Sequence, residues 1–449
     1  MPVVPRTSHG LRRRAAAVLA ALAVTAVSTV ALTGAPVDAA DHATPGDLTG
    51  YAFDQCMAPS QQAMDAWLTS SPYWAVGIYI SGASRGCTSQ PNLTPTWVST
   101  QLAHGWRLLP ITLGPQASCT TRPRYLHQVR ISPSATNDYA AARSQGRAEA
   151  RRTVAVARRL GIPAQSTLWY DLESFATSNT RCRESALGFL SAWTNQLHDL
   201  HHVSGVYSSA SSGIAMLDDA RATRPGRYTM PDRVWIADWN GRADSASTYV
   251  RSSGWAGHRR VHQYRGGHAE TYGGVRINID TSWVDLGRGS TLAAEAPHCG
   301  GQAAYSYPGY ASRGIGDRGA LVRTLQCLLR SHGAYAGAVD GVYDAGLGAA
   351  VRTYRARRGL SPSTRTGPGT WVALLSQGDR PVLKTGSASS SVRRVQRALN
   401  AADHAGLRVS GVVDAATTAA VRRYQGAHGR SRTGVVTPAL WALLQAGRA

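Results

Sequence analysis

Ser166-Thr167-Leu168-Trp169-Tyr170-Asp171-Leu172-Glu173 is an apolar run that ends in two carboxylates one residue apart. It reads as a buried strand. Side chains two apart on a strand share a face, so Asp171 and Glu173 are expected to enter one cavity together. Two carboxylates in an apolar site repel, and one of them tends to keep its proton near neutral pH. A protonated acid beside a charged carboxylate is the pairing that glycosidic bond cleavage requires. An isolated D-x-E is more often a solvated strand end, so the surrounding chain has to decide.

Outward from this run, short apolar strands alternate with helical stretches. Strands are predicted at Leu48–Asp54, Trp74–Ile80, Arg107–Thr112, Thr167–Glu173, Val203–Ser208, Arg233–Ala237, Val261–Tyr264 and Arg276–Asp280. Amphipathic helices are clearest at Tyr139–Leu160 and Arg183–Leu200. This alternation predicts an α/β fold, a (β/α)8 TIM-like barrel, with an open doubly wound sheet as the alternative. Barrel sites sit at the C-terminal strand ends. Acids fall at four of those ends: Asp54 at the first, Asp171 and Glu173 at the fourth, Asp238 at the sixth and Asp280 at the eighth. Tyr207, Trp239, Gln263 and Tyr264 lie nearby in sequence, as do Trp235 and Trp283. Aromatic faces and amides of this kind suit sugar rings and N-acetyl groups, although most such residues simply pack a core.

The bulk properties set the compartment. Arg12-Arg13-Arg14, an Ala/Val/Leu run to Leu32 and the small residues around Val37-Asp38-Ala39 read as a secretory signal over residues 1–40. No other apolar stretch is long enough to span a bilayer, so the mature chain is expected outside the cytoplasm, secreted or wall-associated. Six cysteines, Cys56, Cys87, Cys119, Cys182, Cys299 and Cys327, all lie beyond the signal, and an even count in an exported chain favours three disulfides. Pairing cannot be chosen from these positions alone. No C-x-x-C occurs, which argues against a zinc or thioredoxin-like centre. His198, His201 and His202 cluster at a helix end without a third ligand at defined spacing and read as a solvated helix end. No metal and no organic cofactor is implied. The net charge is +22, and residues 300–449 carry 20 basic against 6 acidic side chains. Within a cell that balance would suggest nucleic acid; export redirects it to an anionic polymer of the cell envelope.

Several stretches carry a family resemblance. Gly50-Tyr51-Ala52-Phe53-Asp54-Gln55-Cys56-Met57-Ala58-Pro59-Ser60, Val76-Gly77-Ile78-Tyr79-Ile80, Pro91-Asn92-Leu93-Thr94, Tyr170-Asp171-Leu172-Glu173 and Ser204-Gly205-Val206-Tyr207-Ser208-Ser209 resemble the exported glycoside-hydrolase-like domain of unknown function. The likeness covers residues 46–286. That family looks like a distant relative of the N,O-diacetylmuramidase lysozymes, whose barrel has an Asp on the first strand, a middle D-x-E and a late Asp. The matching positions are Asp54, Asp171, Glu173 and Asp280. The resemblance implies Glu173 as general acid, Asp171 and Asp280 as charge stabilisers and Asp54 as a shaping residue. Asp238 has no counterpart in that pattern, and Thr281-Ser282-Trp283 departs from the active muramidases. The resemblance also implies Cys56–Cys87 and Cys119–Cys182 bridges. Cys299 and Cys327 remain to pair, which would tie the linker at 287–313 to the first helix of the C-terminal region.

Beyond the linker the chain repeats itself at a period of 70 residues. Val322, Arg323, Gln326 and Leu329 recur as Val392, Arg393, Gln396 and Leu399, and Trp371 and Leu374 as Trp441 and Leu444. Each copy reads as three short helices packed by these apolar positions. The pattern V-R-x-L-Q-x-L-L, then Val339-Asp340-Gly341-Val342-Tyr343, then A-A-V-R-x-Y resembles the peptidoglycan-binding domain type 1 family, over 314–377 and 384–445. The second copy has Ser410-Gly411 where the first has Asp340-Gly341, so its capping turn is expected to differ. The expectation is a monomeric, secreted muramidase-like glycoside hydrolase that binds peptidoglycan, with Tyr207, Asp238, Trp239, Gln263 and Tyr264 contacting substrate. The alternative is a non-catalytic wall-binding protein that keeps the barrel as a sugar-binding surface.

Overall fold

The computed structural model describes residues 43–287 and 295–449; the export segment read at 1–40 lies outside them. Eight strands close into a barrel in sequential order: β1 (Thr49–Asp54), β2 (Tyr73–Ser81), β3 (Arg107–Thr112), β4 (Thr167–Asp171), β5 (Val203–Ser209), β6 (Arg233–Ala237), β7 (Arg260–Tyr272) and β8 (Val275–Asp285). The side-chain period of two sorts the strands into two layers. Phe53, Val76, Ile78, Leu108, Leu168 and Tyr170 pack against the outer helices. Their neighbours Ala52, Ala75, Leu109, Ile111, Trp169 and Trp235 fill the barrel interior. Asp54 and Asp171 are in phase with Ala52 and Trp169, so the strand period that builds the core also aims them inward.

The helices α1 (Gln61–Ser70), α2 (Pro95–Ala103), α3 (Thr136–Arg159), α4 (Thr180–Asp199) and α5 (Ala215–Thr223) follow the first five strands in turn. Three start on side-chain caps: Ser60, Thr94 and Asn179 each accept the amide of the third residue beyond them. Thr94 is followed by Pro95, whose missing amide costs nothing in the first turn.

Three features differ from the sequence reading. β4 ends at Asp171, so Glu173 lies past the strand rather than on it. No helix separates β6, β7 and β8. β8 also runs antiparallel to both of its neighbours, while β1 to β7 pair in parallel. The reversal comes from Gly273-Gly274, whose positive φ angles of 57° and 79° suit a tight hairpin turn. Asp280 is therefore a mid-strand residue reached from above the rim, not the C-terminal end of a parallel strand.

The C-terminal region holds α6 (Ala320–Ser331), α7 (Ala345–Arg357) and α8 (Pro368–Ser376), then α9 (Ser390–Asp403), α10 (Ala415–Ala427) and α11 (Pro438–Gln445). The copies repeat their polar contacts as well as their apolar ones. Asp344 caps α7 and Asp414 caps α10, each accepting at 2.7 Å. Gln326 accepts from the Gly341 amide at 2.8 Å, and Gln396 from the Gly411 amide at 2.9 Å. Ser410 takes over from Asp340, meeting the glutamine amide and the Val412 N–H, so the turn is kept despite the changed residue. One apolar core, with Trp371 and Trp441 fully buried, runs through both copies.

The second copy is also fastened to the barrel. Lys384, 1% exposed, sends its ammonium to the Tyr73 carbonyl at 2.8 Å and the Trp67 carbonyl at 3.4 Å. Its Nζ lies 4.8 Å from the ring centres of both Trp74 and Trp106. Disulfides join Cys56 to Cys87, Cys119 to Cys182 and Cys299 to Cys327.

Candidate active site

Asp54, Asp171, Glu173 and Asp280 line one cleft of about 200 Å³. Asp54 and Asp280 stand directly opposite each other across β1 and β8, a cross-strand pairing of like charges. Gly77 makes the room: a Cβ there would come within 2.5 Å of the Asp54 Cβ. Burial, reinforced by the Asp280 charge, pushes the Asp54 carboxyl up from its ordinary range. Asp280 is raised by burial, against the opposing influence of the Gly267 amide and His268. Asp171 is 2% exposed and is raised by burial first, then by the charges of Glu173 and Asp54. Its Oδ1 is buried without a hydrogen-bond partner, and Oδ2 has only the Tyr79 hydroxyl at 3.5 Å. An orphaned, desolvated carboxylate oxygen of this kind favours the protonated form.

Glu173 has a different environment. It forms an ion pair with Arg122 at 3.1 Å and accepts from the Tyr125 hydroxyl at 3.4 Å. Its backbone is set by Gln116, a fully buried side chain. Gln116 donates to the Asp171 carbonyl at 2.9 Å and accepts from the Glu173 amide at 2.8 Å. β3 pairs with β4 at Trp169 and Tyr170 and no further, and the Gln116 amide group extends that pairing around the bend. This is why Asp171 and Glu173 reach the same cleft although only one of them is on the strand.

Glu173 also borders a second cleft of about 280 Å³, lined by Arg122, Tyr207, Asp238, Trp239 and Tyr249 among others. Trp239 is 66% exposed and Tyr249 46%, so this cleft offers open aromatic faces. Asp238 is occupied within its own loop, accepting from Ser247 at 3.3 Å and Asn240 at 3.4 Å. Gln263 is 1% exposed and joins the two clefts from beneath. Its amide nitrogen reaches Asp54 at 3.2 Å and Asp280 at 3.4 Å, and its carbonyl accepts from Tyr207 and Trp239, each at 3.0 Å. So buried, it positions other residues rather than offering a surface to a ligand. Tyr264 is elsewhere: it lines a separate cleft against the second C-terminal copy. His198 pairs with Asp232 at 2.8 Å, and His202 is buried beside the Ser166 carbonyl.

Sequence reading passed over Arg122, Gln116, Tyr79 and Tyr125. Arg122, Gln116 and Tyr125 lie in the segment that follows β3 and reach the cleft only by folding over the strand ends, while Tyr79 lies on β2 and meets Asp171 only through barrel closure.

Residues 65–284 match the family model for an Rv2525c-like, glycoside hydrolase-like domain. Residues 318–374 and 388–444 each match a putative peptidoglycan binding domain. No curated protein matches the chain. Among solved structures, an uncharacterized protein of B. stearothermophilus is 19% identical over 52% of this chain and 95% of its own, with a TM-score of 0.34. The Tat-secreted protein Rv2525c of Mycobacterium tuberculosis, in complex with L-tartrate, is 13% identical over 53% of this chain and 95% of its own, with a TM-score of 0.35. A family 25 glycosyl hydrolase from Bacillus anthracis is 13% identical over 54% and 93%, with a TM-score of 0.32. The chain thus carries an Rv2525c-like glycoside hydrolase-like domain followed by two putative peptidoglycan-binding domains.

Proposed function

We propose that this is an exported cell-wall protein that holds peptidoglycan through its C-terminal domains and hydrolyses glycosidic bonds in the glycan, with Glu173 as general acid. One observation carries the reading: Glu173 is the residue shared by the carboxylate cleft and the aromatic cleft. A sugar unit in each would bring the bond between them to Glu173. In their ionised forms Asp171 and Asp280 then support positive charge on the sugar in the carboxylate cleft, and Asp54 shapes that cleft. The substrate's acetamido oxygen is available as an internal nucleophile, so no covalent enzyme intermediate is required. Trp239 and Tyr207 stack or orient the leaving side. Three disulfides suit an oxidising, extracytoplasmic setting.

The Glu173–Arg122 ion pair favours a second reading. A carboxylate held by a guanidinium is poorly placed to donate a proton, which suits a barrel that binds wall glycan without cutting it. Muropeptide and reducing-sugar release from purified peptidoglycan separates the two, with wild type compared to Glu173→Gln and wall binding measured alongside. Release that falls at least about 100-fold in the variant with binding unchanged supports the hydrolase. Tight binding without release by either protein, across several wall types, leaves the binding reading.

A further inference from the structure

The cleft that holds Tyr264 is about 810 Å³, several times larger than either half of the candidate active site. It lies on the side of the barrel formed by β1, β7 and β8, and no helix stands between β7 and β8. Its barrel wall is a row of aromatic rings. Trp283 sits edge-on to Tyr51 at 5.1 Å, Tyr51 to Tyr73 at 6.4 Å, and Tyr73 to Tyr272 at 6.1 Å. Tyr51, Tyr264, Tyr272 and Trp283 all keep part of their surface open.

The facing wall comes from the second peptidoglycan-binding domain, through Val412, Asp414, Thr418, Arg422 and Thr433. Polar groups stand between the rings. Glu270 is oriented by the Tyr73 hydroxyl at 2.7 Å and His268 at 2.9 Å, and exposed Arg422 stands near Tyr272. The two walls are held in place by Lys384, the residue caged between Trp74 and Trp106. At the matching position, 70 residues earlier, the first copy has Gly314. The first copy therefore lacks the side chain that makes this dock, and only the second builds the cleft.

We propose that this cleft is a second carbohydrate site, taking a short stretch of the N-acetylated glycan strand of peptidoglycan. Half-open aromatic faces match the C–H faces of pyranose rings. The Thr433 hydroxyl, which accepts from Gln425 and Val435 and keeps its O–H to donate, matches sugar oxygens, as the Glu270 carboxylate matches sugar hydroxyls and acetamido N–H groups. The volume falls in the range that holds an oligosaccharide rather than one sugar. Arg422 lines the same cleft and is placed to donate to acetamido or lactyl carbonyl oxygens of the strand. The proposal rests on wall glycan as the ligand, which the proposed function shares, and needs no hydrolysis at Glu173.

The test is calorimetric titration of the full chain with the N-acetylglucosamine tetramer, in a Glu173→Gln background so that the ligand survives. Trp283→Ala is expected to weaken one binding event by about tenfold or more while leaving any event at the other site intact. Trp239→Ala is expected to do the converse. Ala415→Arg narrows the cleft mouth from an exposed position, and so reads out the cleft even if Trp283→Ala does not fold. Binding unchanged in both Trp283→Ala and Ala415→Arg would overturn the proposal. So would a cleft that takes a stem pentapeptide and refuses the tetramer. Failure of muropeptide release alone would sink the hydrolase reading and leave this one standing.

Discussion

Asp171 shows how one residue couples the site to stability. Its carboxyl is raised above the ordinary 3.8 in the fold, chiefly by burial. Below that value both the folded and the unfolded chain hold the proton, and Asp171 adds no penalty. As pH rises the unfolded chain releases its proton first, and the folded chain is destabilised until its own higher value is passed. Asp54 and Asp280 have the same sign. The barrel should therefore melt higher at pH 5 than at pH 8. Asp171→Asn should raise the melting temperature at pH 8, with the gain shrinking as the pH falls toward 4. Thermal melts of the two proteins across that range check it, and an Asn variant that is less stable at pH 8 would reject this account of the site.

At the scale of elements, the repeated glutamine is the clearest case. Gln326 and Gln396 each bridge a glycine amide to a valine carbonyl within their own copy. Both are fully buried, so truncation leaves buried backbone groups unpaired. Gln396→Ala should cost about 1–3 kcal/mol, and Gln326→Ala about the same, by chemical denaturation. Because one apolar core runs through both copies, either variant should shift a single transition shared by both. Two separate transitions would show that the copies fold independently. In the barrel, Gln116 does comparable work on a bend: it supplies the two hydrogen bonds that β3 no longer reaches. Gln116→Ala should destabilise the barrel by about 1–3 kcal/mol. Any wall hydrolysis should fall by more than the loss of folded protein explains, because Glu173 loses its backbone anchor.

For the whole molecule, Lys384 decides whether barrel and second module act as one body. Burial pushes the ammonium well below 10.5, and the two indole faces only partly offset this. The unfolded lysine keeps its proton to about 10.5, so the docked form binds fewer protons than the open one. Docking should strengthen as pH rises and weaken in acid. Lys384→Gly, which reproduces the first copy's residue, should free the module and enlarge the radius of gyration in X-ray scattering. Lys384→Met should keep the apolar stem and lose the pH dependence. An unchanged radius in Lys384→Gly would show that the remaining contacts, such as the Trp74–Ser387 hydrogen bond at 3.2 Å, suffice.

What the sequence determined by itself was whatever rests on local periodicity. The alternation of Leu168 and Tyr170 with Trp169 and Asp171 is a strand signal readable from neighbours, and it already aims Asp171 inward. The recurrence of Gln326 as Gln396 marks two copies of one unit without any coordinates. Tertiary structure alone decided the rest, because it depends on register between distant segments. Glu173 leaves its strand and still reaches the cleft because Gln116, 57 residues earlier, holds its amide. Gln263 is a buried tie rather than a ligand contact because β7 brings it beneath Asp54, 209 residues away. β8 reverses because two glycines close a hairpin, which puts Asp280 opposite Asp54 from the other direction. Lys384 reads in sequence as one more basic residue. Only packing against Trp74 and Trp106, more than 270 residues upstream, makes it the fastening of the molecule, since a desolvated ammonium needs acceptors and ring faces that no local stretch supplies.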